Sequence, residues 1–290
     1  MKMNRRRFLT ISAAFAATPA LGHSHSWQGR AFGAEVAITL FGPDEAVQAA
    51  LHRTQRIVRE MEQRFSLFLP SSELVRLNRQ GHLRPSAPLR RLFGLADTAH
   101  RMTGGLFDPT VQPVWRAMAA GDDPEGAFDL VGWGRLSFDM DRIRLAPGQA
   151  LTFNGIAQGF ATDAVADALA RAGFQNALVN IGEYRATGGD WRLGVEDPQY
   201  GLLATRRLNR GAIATSSPLA TPLGGGGHIV HPTRQPRWST VSVEADSAAM
   251  ADALSTALVL ADMPLIRQVR QAAGVRRVTL VDWQGDLTSL

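Results

Sequence analysis

Cysteine is absent from the 290-residue chain. Disulfides, thiolate zinc centres, iron–sulfur clusters and cysteine nucleophiles are therefore excluded. Beyond the N-terminal segment, no apolar run approaches the roughly 18 residues that read as a membrane span. There is no Walker A loop, no H-E-x-x-H pair, and no G-x-G-x-x-G after an early strand with the acidic partner a dinucleotide fold wants. Ser216 lacks the G-x-S-x-G elbow of a serine hydrolase. No internal repeat is present. Strong charge is also missing from the body of the chain. The formal net charge is +5, but Lys2, Arg5, Arg6 and Arg7 account for four of those charges. The near-neutral remainder shows no basic stripe of the kind a nucleic acid needs, so no nucleic-acid partner is expected.

What is present is a globular composition, 45% hydrophobic and 20% charged. The length suits one large domain, single or divided into two close lobes, over residues 23–290. Residues 1–22 read as a processing segment: a basic start, the apolar run Phe8–Leu21, and the small-x-small site Ala20-Leu21-Gly22. Asn4-Arg5-Arg6-Arg7-Phe8-Leu9-Thr10 resembles a twin-arginine export signal, which predicts the export machinery as a partner and a periplasmic location, either free or loosely tied to the membrane surface.

Hydrophobic periodicity predicts a first strand within Trp27–Phe41, a helix over Asp44–Leu67, a short helix capped by Ser71-Ser72-Glu73, and another helix over Pro88–Thr103. A hairpin is predicted over residues 136–145 and a helix from Gly155 to Arg171, with strands at Ala177–Ile181, Trp191–Val195 and Gly211–Ser217. Thr240–Glu244 reads as a strand, Ala248–Leu260 as a helix and Val275–Asp282 as a closing strand, while the four-glycine run Gly224–Gly227 reads as a mobile loop or a ligand lid. The expected class is α+β, with mixed, largely antiparallel sheets and packed helices.

The stretch Leu151–Asp163, LTFNGIAQGFATD, draws attention first. Gly155 and Gly159 allow close approach, and the helix start offers unpaired N–H groups to an anion; a tight packing turn would look the same. Asp252 and Thr256 lie four apart on a nearly apolar helix, where a carboxylate needs a partner. They could supply oxygen ligands to Mg²⁺, or Thr256 could bond back to its own helix. His228 and His231 suit a catalytic or a merely structural role. Asp108 before Pro109 is a turn-forming carboxylate by default. Glu183, after a strand and Gly182, stands where site residues often do, and Gln158 offers an amide rather than a charge.

In their order along the chain, several pieces resemble the ApbE family of flavin transferases. They are Ser72–Asn78, Thr103–Val111, Asn154–Asp163, Val179–Gly182, Ala214–Ser216, His228–Pro232 and Ala251–Ala257. The resemblance implies an FAD-binding fold and a Mg²⁺ site. It implies splitting of FAD at its pyrophosphate, release of AMP, and transfer of FMN to a threonine or serine hydroxyl of an acceptor flavoprotein. By the same resemblance, Asp252, Thr256 and the Gly155 carbonyl are metal ligands, and His228 is the histidine near the phosphates, read here as the group that activates the acceptor hydroxyl. Phe68 stands where an aromatic often meets the flavin ring, and Asn78, Asp108, Thr110 and Thr215 are expected to line the cofactor site with Gln158, Gly182 and Glu183. The chain departs from the family pattern at Thr152, Gln158, Glu183, Ser217 and His231. The exported NosX-like subgroup, linked to nitrous oxide respiration, shares the twin-arginine signal and would modify a membrane-bound electron-transfer subunit. The alternatives are a flavin carrier that has lost transfer, and a non-enzymatic interaction module.

Overall fold

A computed structural model of the chain describes residues 24–223 and 225–290. The expected leader, residues 1–22, and the mature start at His23 lie outside the described residues. Among the described residues no helix is long and apolar enough to cross a membrane.

An eight-stranded sheet organises the molecule. Its order is Ser24–Ala31, Ala34–Phe41, Ala177–Asn180, Tyr184–Ala186, Gly211–Ser216, Thr240–Ala245, Val275–Val281 and Leu287–Ser289. Every neighbouring pair runs antiparallel. Both faces of its centre are covered, and the two-residue period of the strands shows it. Ala177 and Val179 face one core with the helix Ala157–Arg171, while Leu178 between them packs with Trp191, Leu193, Val195 and Leu208 on the other face. Those last residues belong to a separate antiparallel hairpin, Trp191–Asp197 with Gly201–Leu208. Ala212 and Ala214 likewise face the helix Ala248–Leu258, and Ile213 faces the hairpin.

The helices Ala157–Arg171 and Ala248–Leu258 cross in close contact. A Cβ on Gly159 would lie 2.2 Å from the Ala248 carbonyl oxygen, so the crossing requires glycine there. Asp163 locks the pair. Its Oδ1 accepts the Ala248 N–H at 2.8 Å, and its Oδ2 accepts the Ala249 N–H at 3.0 Å and the Ser247 hydroxyl at 2.7 Å. An acidic group at a helix start satisfies orphan donors and suits the helix dipole. Arg185 holds Asp163 from the sheet, at 2.8 Å.

The helices at Asp44–Phe65, Glu73–Gln80 and Ala87–Met102 form near their expected bounds, the last two capped by Ser72 and Ser86. The segment Trp27–Phe41 is a hairpin rather than one strand. Phe32 and Gly33 take the left-handed conformation at its turn, with φ of 52° and 76°. Elements outside the sequence expectation include the helices Gln112–Ala120, Glu125–Phe128 and Met263–Arg270, and the strands His82–Leu83, Tyr184–Ala186, Gly201–Leu208 and Leu287–Ser289. The four-glycine segment is partly structured, since Pro222–Leu223 pairs with Gly226–Gly227.

Candidate active site

A cavity of about 600 Å³ opens at one end of the sheet, a size typical of small-molecule sites. Its walls come from the first hairpin, the turn around Asp108, residues 152–158, the Asn180–Tyr184 turn, the strand end at Ile213–Ser217, His228–Val230, and the helix carrying Asp252 and Thr256. Of the residues singled out from sequence, Asp108, Gly155, Gln158, Gly182, Glu183, Thr215, His228, Asp252 and Thr256 all reach this wall.

One end of the cavity concentrates oxygen atoms. Asp252 is 3% exposed, and its Oδ2 accepts the Gly159 N–H at 3.1 Å. Thr256 follows one helical turn later, and a Cβ on Gly155 would sit 2.9 Å from its Oγ1. Only a glycine lets the backbone of residue 155 lie against that hydroxyl. Ser216 ties the region together, its Oγ 2.8 Å from Ser255 Oγ and 3.3 Å from Thr256 Oγ1. Glu183, 8% exposed, stands across from this cluster and accepts the Thr215 N–H at 3.2 Å. Burial, and then the Asp252 carboxylate, hold the Glu183 acid well above the usual carboxylate range, against the pull of the Thr215 N–H. Beside them the buried Gln158 side chain packs on Gly182, whose φ of 93° and missing Cβ leave room for it. The Gln158 Nε2 has no hydrogen-bond partner.

These features fit a divalent cation and an anionic ligand. Two buried carboxylates are costly side by side unless a cation joins them. A carboxylate, a hydroxyl and a carbonyl from residue 155 form the hard oxygen set that Mg²⁺ takes, usually together with water and ligand phosphate. The unpaired amide N–H of Gln158 is a donor awaiting an acceptor. Among the described residues there is no cluster of three or more His, Asp or Glu side chains suited to a metal, so a cation here would rest on Asp252 with hydroxyl and carbonyl oxygens beside it.

His228 stands on the same cavity wall. Its Nδ1 lies 2.9 Å from the Pro218 carbonyl oxygen, and its own N–H donates to the same oxygen at 3.1 Å. A carbonyl can only accept, so the neutral ring carries its proton on Nδ1 and presents Nε2 as an acceptor. Gly227 makes this loop possible, because a Cβ there would meet Pro218 at 2.7 Å. His231 lies just beyond the wall-lining residues 228–230. Burial lowers its pKa, opposed by the Asp108 carboxylate and a bond to the Gly105 backbone.

Three expected wall residues stand elsewhere. Asn78 reaches the backbone of Leu151, with both bonds at 2.8 Å, and so pins the stretch leading to Gly155. Thr110 is fully buried, with its hydroxyl 2.6 Å from Asp108 Oδ1 and 2.7 Å from the Gly132 N–H. Their polar atoms are spent inside the protein, which makes both residues braces for the wall. Phe68 is 61% exposed on the loop after the first long helix and does not reach the cavity. Asp108 serves as the turn former expected of it, accepting from Thr110 and from the Trp133 N–H at 3.1 Å while still bordering the cavity.

The cavity also recruits residues to which the sequence reading gave no site role. Tyr184 lines it, its hydroxyl pushed strongly upward by burial and then by Glu183. Asn180 accepts the Gly182 N–H at 3.0 Å and so shapes the turn that carries Glu183. Asn180, two residues before a glycine at a strand end, was the one legible signal among these.

The model of the ApbE family matches residues 32–277. The FAD:protein FMN transferase of Haemophilus influenzae is 25% identical over 257 residues, covering 74% of each chain. That of Vibrio cholerae is 27% identical over 239 residues, covering 71% of each. Among solved structures, the flavin transferase ApbE from Vibrio cholerae superposes with a TM-score of 0.82 at 22% identity, over 92% of this chain and 96% of that one. The ApbE protein of Thermotoga maritima gives 0.81 at 22% identity, with the same coverage.

Proposed function

Because the chain belongs to the ApbE family, we propose that it transfers FMN from FAD to a threonine or serine hydroxyl of an acceptor protein, with Mg²⁺, and releases AMP. The observation that carries this reading is that Asp252, Thr256, the Gly155 backbone and His228 all line one cavity, with the Gly155 backbone packed against Thr256. The curated relatives bearing the name FAD:protein FMN transferase support it.

Asp252, Thr256 and the Gly155 carbonyl would hold the cation. When bound, Mg²⁺ neutralises pyrophosphate charge and stabilises the charge that develops in phosphoryl transfer. The chain's own groups do the rest. The Gln158 amide donates to a phosphate or flavin acceptor. The His228 Nε2 takes the proton of the acceptor hydroxyl as that oxygen attacks the FMN phosphorus. The P–O bond to AMP breaks, and AMP leaves carrying the electron pair. Asp163, Asn78 and Thr110 hold the three wall segments in register. The twin-arginine-like leader supports export to the periplasm, and a membrane-bound electron-transfer subunit is the acceptor that this location favours.

The test is direct. The purified chain is mixed with FAD, MgCl₂ and a candidate acceptor domain, and the acceptor is weighed by mass spectrometry. The reading expects an FMN-sized gain on one Thr or Ser and stoichiometric AMP. Bound FAD with no gain on a validated acceptor would make the protein a flavin carrier, and no flavin binding in MgCl₂ would refute both.

A further inference from the structure

A second concavity of about 680 Å³, more open than the first, is lined by Arg79, His82, Arg116, Arg142 and Arg144, and by no Asp or Glu. All five are exposed. Among the described residues none of the four arginine side chains makes an ion pair or a hydrogen bond. Arg142 does face Asp139, whose carboxyl it helps to lower after two backbone bonds to that group. The body of the chain is close to neutral, so this is a local concentration of charge and not a bulk surplus. The arginines come from separate elements: the end of the Glu73–Gln80 helix, the Gln112–Ala120 helix, and the strand Ile143–Arg144 with the turn before it.

The groove backs directly onto the wall of the cavity. Ala150 lines the groove and Thr152 the cavity, and Asn78, in the groove, holds Leu151 between them. Arg116 lines the groove while its neighbour Trp115 lines the cavity. We propose that this groove docks an acidic segment of the acceptor polypeptide, placing the target hydroxyl at the adjacent cavity. The proposal rests on the reading that the substrate of transfer is a protein.

The lining of the groove favours a polypeptide over a mononucleotide or a lipid. A built phosphate site converges buried, unpaired donors, and the buried amide in this groove, Gln149, is spent on Ala146, Leu130 and Gly132. A lipid surface calls for exposed apolar side chains among the basic ones, and the one large apolar residue in the lining, Leu145, is 6% exposed. Spread, solvated arginines instead suit several carboxylates along an extended chain, where they steer encounter and fix register.

The experiment uses the full chain and a fluorescein-labelled peptide of alternating Glu and Gly, read by anisotropy, with a Gln–Gly peptide as control. FAD binding is followed in the same samples by flavin fluorescence. The Glu peptide should bind the native chain, weaken steeply with added salt, and lose affinity by about tenfold in the R79Q/R116Q/R144Q variant and further in R79E/R116E/R144E, because each exposed pair is individually weak. FAD affinity should not change. Equal binding of the Gln–Gly peptide, or equal binding by the variants, would overturn the proposal. So would displacement of the peptide by AMP or inorganic phosphate at equal charge, or sedimentation with phosphatidylserine vesicles that the Gln variant loses. A chain that binds the Glu peptide but no FAD refutes the flavin reading and leaves the groove; one that binds FAD but no peptide refutes the groove alone.

Discussion

Replacing Asp252 with asparagine should stabilise the cation-free protein while removing its response to Mg²⁺. Asp252 is 3% exposed, and its Oδ2 takes the Gly159 N–H at 3.1 Å. Asparagine keeps the volume and an acceptor for that bond. What it removes is a negative charge facing Glu183, whose acid is already held high by burial and by Asp252. A like-charge contact of this kind is worth roughly 1–3 kcal/mol at an effective dielectric near 20. Glu183 can shed part of it by taking a proton, so a net gain of about 1 kcal/mol is expected, or roughly 2–4 °C in Tm for a domain of this size. The native protein should be stabilised by MgCl₂ by about 2.7 kcal/mol at a hundredfold excess over Kd, and the variant should not. Scanning fluorimetry at pH 7 in EDTA and across an MgCl₂ series reads both effects. The sign in pH is fixed too. With its folded pKa raised, Glu183 contributes stability that is complete below its ordinary value of 4.5 and is lost as pH rises through the folded value. Glu183→Gln should therefore flatten the fall in Tm above that point. If D252N melts lower than the native chain in EDTA and keeps the native Mg²⁺ shift, the assignment of this carboxylate is wrong.

Three further outcomes follow from separate contacts. Gly159→Ala places a Cβ 2.2 Å from the Ala248 carbonyl oxygen, so the two helices must part; chemical denaturation should show a loss of about 1–3 kcal/mol, together with a weaker Mg²⁺ response. Asp197 accepts from Ser239, Thr240, Gln199 and Tyr200. Burial works to raise its pKa, but those donors hold it below 3.8, so it contributes stability above that value which is lost as pH falls through the folded one. Asp197→Ala should cost about 2–4 kcal/mol in urea unfolding by orphaning buried donors, and a loss under 1 kcal/mol would refute the account. His228→Gln should leave FAD binding intact and slow acceptor labelling by about 10²–10⁴-fold; unchanged single-turnover rates would remove Nε2 from proton transfer.

Much of the architecture was legible where a local signal had a local cause. Ser72 caps the helix it precedes, and the apolar spacing in Asp44–Phe65 turns one face to the core. The elements that escaped had weaker or competing signals. The helix Met263–Arg270 had its cap in Asp262 and its proline at the start, but it is short and follows the long apolar helix after only a brief break. The strand Gly201–Leu208 hides its pairing because Leu208 is its one fully buried residue, and its partner, Trp191–Asp197, supplies most of the buried side chains. The site divides in the same way. Asp252, Thr256 and Gly155 could be singled out because a carboxylate on an apolar helix and a glycine in an apolar stretch each break a local rule. Asn78, Thr110 and Phe68 carried no such rule, and they were placed on the wall by resemblance; in the fold two of them brace that wall, and the third stands outside it. The arginine groove is the sharper case. Arg79, Arg116 and Arg144 are scattered singly along the chain, so a search for basic runs finds nothing, and their common charge exists only after three elements have folded beside one another. Sequence patterns report what a residue does to its own helix or strand. The pairing of Glu183 with Asp252 and the gathering of the arginines are products of packing, and the proposed cation binding and acceptor docking rest on them.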